Sequence, residues 1–175
     1  CKKKMGVAGY WKYDSEDIVC INCGQCANVC PVESIVEQDD TAALMDAINN
    51  KQKTVIIMTS PAVRVSLGEM FNYPAGEFVA GKMVSALKKL GADYVFDVAF
   101  GADLTIMEEA SELIDRIKND KVLPQFTSCC PAWVKFVETF YPQYIPNLSS
   151  CKSPISMQAS VIKNYFSKQI KVSPS

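Results

Sequence analysis

The hydrophobic pattern of residues 54–129 predicts three strands. Residues 54–58 and 93–99 are short runs of mostly apolar residues, and residues 125–129 form a third β-prone segment. Apolar runs of this length without polar alternation are typical of strands that are covered on both faces. Between and after these segments, apolar residues recur every three or four positions, which indicates amphipathic helices.

Helices are predicted over residues 60–71, 76–90, 104–117 and 131–141. A first helix is expected within residues 39–53, and a last one after the segment that ends at residue 154. Strands and helices that alternate at this rhythm predict an α/β fold with a parallel sheet. Ligands of such sheets bind outside the carboxyl ends of the strands. We therefore expect one site to be formed by the loops at residues 60–62, 100–102 and 128–130.

The composition removes several classes of function. Histidine is absent, so imidazole bases, serine–histidine–aspartate arrangements and histidine-ligated zinc or iron are excluded. The net charge of -1 gives no reason to expect nucleic acid as a partner, and no apolar run is long enough to predict a membrane span. Eight cysteines, with no apolar signal segment after the first residues, favour metal binding or catalysis over a disulfide framework.

The strongest chemical signal is a run of four cysteines followed by a proline: Cys20, Cys23, Cys26 and Cys30. The spacing C-x2-C-x2-C-x3-C-P is the bacterial ferredoxin signature for 4Fe-4S clusters, in which the fourth cysteine ligates the second cluster of a two-cluster module. A zinc knuckle is the alternative, but zinc sites usually come as two separated pairs of ligands. The spacing therefore predicts an iron-sulfur module.

The first three thiolates of this run serve the local cluster, so a fourth ligand must come from elsewhere. Cys1 is the only cysteine upstream of the run, and we expect it to supply that ligand. We also expect the sequence to begin within a two-cluster module. The predicted organisation is a partial ferredoxin-like module over residues 1–38 and a partial α/β lobe over residues 39–175.

A second candidate site is the segment Thr-Ser-Cys-Cys-Pro-Ala-Trp at residues 127–133. It predicts a strand that ends at the cysteines and a helix that begins at Pro131, since proline suits the first helical position. Adjacent cysteines on such a corner point in different directions, so one can ligate a metal while the other faces a substrate pocket. The alternative is that both cysteines are small hydrophobic residues buried in the core.

Five stretches of this sequence resemble those of the iron-iron hydrogenases. They are the cysteine run, the double-cysteine motif, and residues 60–64, 100–109 and 149–154. In that family the H-cluster is a 4Fe-4S cluster bridged by a cysteine to a two-iron unit with carbonyl, cyanide and dithiolate ligands. The resemblance implies an α/β, parallel-sheet lobe of the catalytic domain preceded by a ferredoxin-like module, both incomplete here.

The resemblance also implies roles for individual residues. Cys130 is one of four cysteines that hold the four-iron part, and Cys129 is the thiol that passes protons to the bridging amine. The implied proton path to the surface consists of Glu109, Glu112, Arg116 and Ser149. Implied contacts with the two-iron unit come from Pro61, Ala62 and Pro154.

Independently of the resemblance, Glu109, Glu112 and Arg116 are three and four residues apart and share one face of a helix. A solvated face held by salt bridges is the alternative, and it is the commoner meaning of such spacing. Cys151 stands where alanine is common in the family.

The function implied by the resemblance is the reversible reduction of protons to dihydrogen. Electrons are expected from a ferredoxin or another low-potential carrier through the Cys20 cluster. Two further cysteine motifs of the family are absent, so we expect the remaining half of the catalytic domain to come from the same gene or a separate chain. The implied location is the cytoplasm of an anaerobe, or a hydrogenosome in a eukaryote.

The alternative is a non-catalytic hydrogenase-like protein that serves cluster assembly, hydrogen sensing or electron transfer. Relatives of the assembly type usually lack the first cysteine of the pair. The presence of Cys129 therefore favours the hydrogenase.

Overall fold

The computed structural model describes residues 20–174 of the chain, so Cys1 lies outside the described residues. These residues form two compact units, one of residues 20–40 with 111–151 and one of residues 41–110 with 152–174. The module boundary after residue 38 stays a prediction. Within residues 20–174, no helix combines the length and the apolar character that a membrane span needs.

Residues 20–40 carry the cysteine run on a loop with one short helix. This helix, α1 (Gln25–Asn28), begins after Gly24, whose φ of 76° lies in the left-handed region. Glycine adopts that conformation without a steric penalty. The loop therefore folds back tightly between the second and third cysteines of the run.

The unit of residues 41–110 and 152–174 contains a parallel pair of strands. After α2 (Thr41–Asn49), strand β1 (Ile56–Thr59) pairs with β2 (Tyr94–Asp97). Their register places Ile56 opposite Tyr94 and Thr59 opposite Asp97. The parallel pairing confirms the predicted α/β class and two of the three predicted strands.

The segment between these strands is helical, as its apolar spacing predicts. It contains α3 (Val63–Ser66), a 3-10 turn over Leu67–Phe71 and α4 (Ala80–Leu90). Helix α4 ends at Gly91, whose φ of 117° suits a glycine after a helix. The core of this unit is formed by buried apolar side chains: Val55, Val79, Met83, Ala92 and Val98.

The loop predicted at residues 100–102 is wrong, because helix α5 (Ala99–Lys118) already begins there. The carboxylate of Asp97, at the end of β2, accepts a hydrogen bond from the Ala99 N–H at 2.8 Å. Such a bond satisfies a free N–H group at the start of a helix, so the chain passes directly from strand to helix.

The third predicted strand, over residues 125–129, is also wrong. Phe126 forms only an isolated parallel bridge with Leu148. The N–H of Phe126 donates to the Asn147 carbonyl at 2.8 Å, and its own carbonyl accepts from the Ser149 N–H at 2.7 Å. Because the loop at residues 147–149 takes both backbone groups, this segment pairs with that loop.

The helix predicted after the double cysteine is confirmed as α6 (Pro131–Phe140), with Pro131 in its first turn. Val137, on its inner face, is 1% exposed. A 3-10 turn follows at Pro142–Asn147. In the other unit, the last helical segment comprises α7 (Pro154–Val161), a π-helical turn at Ile162–Phe166 and α8 (Ser167–Gln169).

Candidate functional site

The carboxylate of Glu112 lies at the centre of a hydrogen-bond network in the unit of residues 20–40 and 111–151. Its Oε2 atom accepts hydrogen bonds from Ser149 Oγ at 3.0 Å, and from both the N–H and Oγ of Ser150 at 3.1 Å. The Glu112 side chain is 18% exposed. The structure therefore brings Glu112 and Ser149, two of the predicted site residues, into direct contact.

Arg116 holds the other oxygen of this carboxylate. Its Nε and Nη2 atoms lie 3.1 and 2.6 Å from Glu112 Oε1. Its guanidinium also donates to the carbonyls of Val122, Pro146 and Leu148 at 2.8–3.1 Å. Since Arg116 is only 8% exposed, this pair differs from the solvated salt bridge that its spacing alone favours.

The pKa of Glu112 follows from two opposing effects. Burial raises it by penalising the charged form, but hydrogen bonds from Arg116, Ser150 and Ser149 stabilise the anion and outweigh burial. The net result is a Glu112 pKa below the ordinary value for a glutamate. This carboxylate is therefore held as an anion at neutral pH.

A polar cleft of about 550 Å³ opens beside the network. Its lining includes Glu112 and Ser150 together with the charged side chains of Asp115, Asp120 and Lys121. Lys121 Nζ lies 2.5 Å from Asp115 Oδ2, and this hydrogen bond lowers the pKa of Asp115. The cleft connects the half-buried Glu112 carboxylate with solvent.

The double-cysteine corner lies at the start of α6 in the same unit. Cys130 precedes the helix in an extended conformation, and Trp133 Nε1 donates to the Thr127 carbonyl at 3.0 Å. The ring of Trp133 also meets that of Phe126 edge-on, with 6.0 Å between centroids. Cys129 and Cys130 are both exposed and free of disulfides, so the alternative of two buried hydrophobes is wrong.

Hydrogen bonds link this corner to the carboxylate network. Ser128 Oγ donates to the Cys151 carbonyl at 3.1 Å, and the Cys151 N–H donates to Ser149 Oγ at 3.1 Å. The Cys151 thiol also lies 3.8 Å from Glu112 Oε2. Ser150 and Cys151 were not assigned a role from the sequence, because only their adjacency to Ser149 signals their part in the network.

The cysteine run provides four free thiols on one loop. The hydroxyl of Ser34, 3.4 Å from the Cys30 sulfur, and nearby backbone N–H groups lower the pKa of Cys30 to about 7. Among residues 20–174, no group of three or more acidic or cysteine side chains is placed so that it could hold a metal ion. Free thiols spread over a loop with a left-handed glycine fit a multinuclear cluster better than one zinc ion, which needs all its ligands at about 2.3 Å.

The other candidate residues belong to the unit of residues 41–110 and 152–174. Pro61 and Ala62 form the exposed turn after β1, and Pro154 begins α7 after the capping side chain of Ser153. Glu109 is half-buried on α5. Of the three segments predicted to follow strands, only residues 60–62 do so. The roles of these residues stay predictions.

Two family models match the sequence. Residues 53–174 match the C-terminal domain of the iron-only hydrogenase large subunit, and residues 19–36 match a 4Fe-4S binding domain. These matches confirm the predicted cofactor classes, which are 4Fe-4S clusters and the H-cluster. They also confirm the ferredoxin-like module before a hydrogenase-like lobe.

The chain is similar to a hydrogenase subunit and to an iron-sulfur cluster assembly factor. The chain is 45% identical to the NADP-reducing hydrogenase subunit HndD of Solidesulfovibrio fructosivorans, over 91% of this chain and 28% of that protein. It is 35% identical to the cytosolic Fe-S cluster assembly factor narfl of Danio rerio, over 72% of this chain and 32% of that protein. The chain thus spans about a third or less of these relatives.

A solved structure shares the fold. The apo FeFe-hydrogenase HydA1 of Chlamydomonas reinhardtii, solved as a variant, superposes with a TM-score of 0.72 at 37% identity, over 78% of this chain and 36% of that one. The sequence match, the relatives and the fold agree, and the chain therefore belongs to the iron-only hydrogenase family.

Proposed function

We propose that this chain is part of an iron-iron hydrogenase that reversibly reduces protons to dihydrogen. Electrons come from a ferredoxin-type donor through 4Fe-4S clusters, and the remaining half of the catalytic domain completes the active site. We place this protein in the cytoplasm, or in a hydrogenosome in a eukaryote. The family match and the relative named as a hydrogenase support the assignment as a hydrogenase.

One observation of the structure carries the proposal. The corner with two exposed thiols is linked through Ser128, Cys151 and Ser149 to the half-buried carboxylate of Glu112, which borders a polar cleft. In this proposal the metal-binding thiol provides a cluster ligand, the second thiol holds a proton, and the carboxylate with solvent access supplies protons.

Within this proposal, the two thiols of the corner divide the work. Cys130 provides a thiolate ligand to the H-cluster, which supplies the electrons and the site of hydrogen chemistry when it is bound. Cys129 holds the proton nearest to the reaction. A thiol suits this role because it can both donate and accept a proton, and the sequence has no histidine to do so.

Proton supply is assigned to the carboxylate network. The hydroxyl of Ser149 donates to Glu112 Oε2 and accepts from the Cys151 N–H. A hydroxyl both donates and accepts, so Ser149 can take a proton from Glu112 while it gives its own to the next acceptor towards Cys129, and the Cys151 N–H only orients it. Arg116 fixes the carboxylate towards this hydroxyl. Glu109 is assigned to the same path by the family resemblance. The cleft beside Glu112 provides protons from water.

A second candidate function is cluster assembly without hydrogen chemistry. The 35% identity to a cytosolic Fe-S cluster assembly factor favours it as the alternative. Proteins of both functions contain 4Fe-4S clusters, so iron content does not distinguish the two functions. Hydrogen turnover and the carbonyl and cyanide ligands of the two-iron unit distinguish them.

The first test is hydrogen evolution by the holoprotein, anaerobically loaded with its clusters, with a reduced dye as electron donor. We expect turnover together with infrared bands of carbonyl and cyanide ligands. A holoprotein with intact 4Fe-4S clusters but neither turnover nor these bands contradicts the hydrogenase proposal and supports the assembly function.

A second prediction concerns the ferredoxin-like module. Reconstitution of the chain with iron and sulfide is expected to load one 4Fe-4S cluster on Cys1, Cys20, Cys23 and Cys26, because the run supplies three adjacent thiolates and one more is needed. Iron and sulfide analysis with electron paramagnetic resonance measures this. Cys1→Ser is expected to alter the spectrum, whereas Cys151→Ser serves as the matched control. An unaltered cluster in Cys1→Ser contradicts the assignment of Cys1.

A further inference from the structure

Ser150 contacts the same oxygen atom as the proposed relay hydroxyl. Its backbone N–H and its Oγ both lie 3.1 Å from Glu112 Oε2, close to the 3.0 Å of Ser149 Oγ. With the Cys151 thiol at 3.8 Å, four donors surround one oxygen. A carboxylate has about four acceptor positions on its two oxygens, so Oε2 is more crowded with donors than it can serve.

The crowding favours the anion of Glu112, because a proton on Oε2 would face donors instead of acceptors. For Glu112 to hold a proton, at least one of the surrounding donors must turn away. The N–H of Ser150 is fixed by the backbone, and the guanidinium of Arg116 is held by several carbonyls on the other oxygen. The hydroxyl of Ser149 is the proposed relay itself.

Two donors that can rotate remain, the Cys151 thiol at 3.8 Å and the Ser150 hydroxyl at 3.1 Å. The thiol is a weak and more distant donor, so the hydroxyl of Ser150 is the one whose rotation changes the hydrogen bonding of Oε2 most. Ser150 is exposed and lines the polar cleft, so its Oγ can rotate from Glu112 towards water without leaving a buried polar group unsatisfied. We propose that Ser150 is a positioning residue of the proton path, an inference that rests on the proposed function. Its hydroxyl holds the Glu112 carboxylate ready and rotates into the cleft when Glu112 takes up a proton from water.

The proton balance of this step is simple. A hydrated proton in the cleft transfers to Glu112 Oε2, its water returns to the cleft, and the hydrogen bond from Ser150 Oγ is replaced by one to that water. Other charged groups near this carboxylate are Arg116 on its own helix and Asp115, Asp120 and Lys121 around the cleft. None of these is altered when only the hydroxyl of residue 150 is removed.

The experiment compares Ser150→Ala with the parent holoprotein by infrared titration of the Glu112 carboxyl band, assigned through its loss in Glu112→Gln. Removing one hydrogen bond to the anion raises the Glu112 pKa. As the pH is lowered, the band of the protonated Glu112 carboxyl should therefore appear at a higher pH in Ser150→Ala than in the parent. The pH profile of hydrogen evolution should move in the same direction and by the same amount. Ser150→Thr, which keeps a hydroxyl, should restore both.

Ser85→Ala is the matched control, since Ser85 Oγ donates to the Gly81 carbonyl on α4 and does not contact Glu112. It should leave the band and the profile in place. An unshifted carboxyl band in Ser150→Ala overturns the inference, as does a shift that the Ser85 control reproduces. Because the infrared titration needs no turnover, a parent protein without hydrogen evolution overturns the proposed function and leaves the role of Ser150 testable.

Discussion

Substitution of Cys129 by alanine is expected to lower hydrogen evolution by the holoprotein about 10²–10⁴-fold, the usual contribution of a positioned proton donor. The reason is local: Cys129 is an exposed free thiol beside the proposed ligand Cys130, and the protein has no histidine that can replace it. The rate with a reduced dye measures the loss. The infrared bands of carbonyl and cyanide should remain, because Cys129 is not assigned as a ligand.

Two further variants separate the roles of the two thiols. Cys129→Asp keeps a titratable group and is expected to retain more activity than Cys129→Ala. Cys130→Ala should disturb the cluster and its infrared bands. If Cys129→Ala turns over like the parent, or loses the bands as Cys130→Ala should, this division of roles is wrong.

The second large effect is expected on stability. Arg116→Ala leaves the Glu112 carboxylate without its cation and removes the donor from the carbonyls of Val122, Pro146 and Leu148. Removing one partner of a buried ion pair typically costs about 3–5 kcal/mol. The urea concentration at the midpoint of unfolding should therefore fall strongly. Unfolding is measured by the fluorescence of Trp133 in a Trp11→Phe background.

Lys121→Ala is the matched control for this prediction. It removes an ion pair with Asp115 in which both side chains are about half exposed, at 57% and 49%. Exposed pairs contribute about 0–1 kcal/mol, so the midpoint should change little. An Arg116→Ala protein as stable as Lys121→Ala would show that the buried network does not support this unit.

The sequence predicted those elements whose cause is local. The apolar spacing and Gly91 located α4, Pro131 located the start of α6, and the spacing of the cysteine run identified the 4Fe-4S module that the family match confirms. The parallel pairing of β1 and β2 was also predicted, since continuous apolar runs separated by helices have few other solutions.

The errors arose where a backbone hydrogen bond that the apolar pattern does not show decides the structure. Residues 125–129 have β-prone side chains, but the loop at residues 147–149 takes both backbone groups of Phe126. The start of α5 was missed for a local reason. The Asp97 side chain accepts a hydrogen bond from the Ala99 N–H two residues later, and the apolar pattern does not show this contact.

The candidate site shows the same division. Helical spacing placed Glu112 and Arg116 together, but it favoured a solvated face, because spacing carries no information on the carbonyls that surround Arg116. Ser150 was missed for a related reason. A serine acquires its role from the atom that it faces, and Glu112 is distant from it in sequence.

The contact at Gly101 restricts how this sequence can vary. A Cβ atom at this position would overlap the Pro154 carbonyl oxygen and lie 3.0 Å from Gln158 Cβ. Even alanine would therefore push α7 away from α5, and with it the proline assigned to the two-iron unit. The backbone of another helix therefore excludes every side chain at residue 101 for as long as α7 keeps its present position.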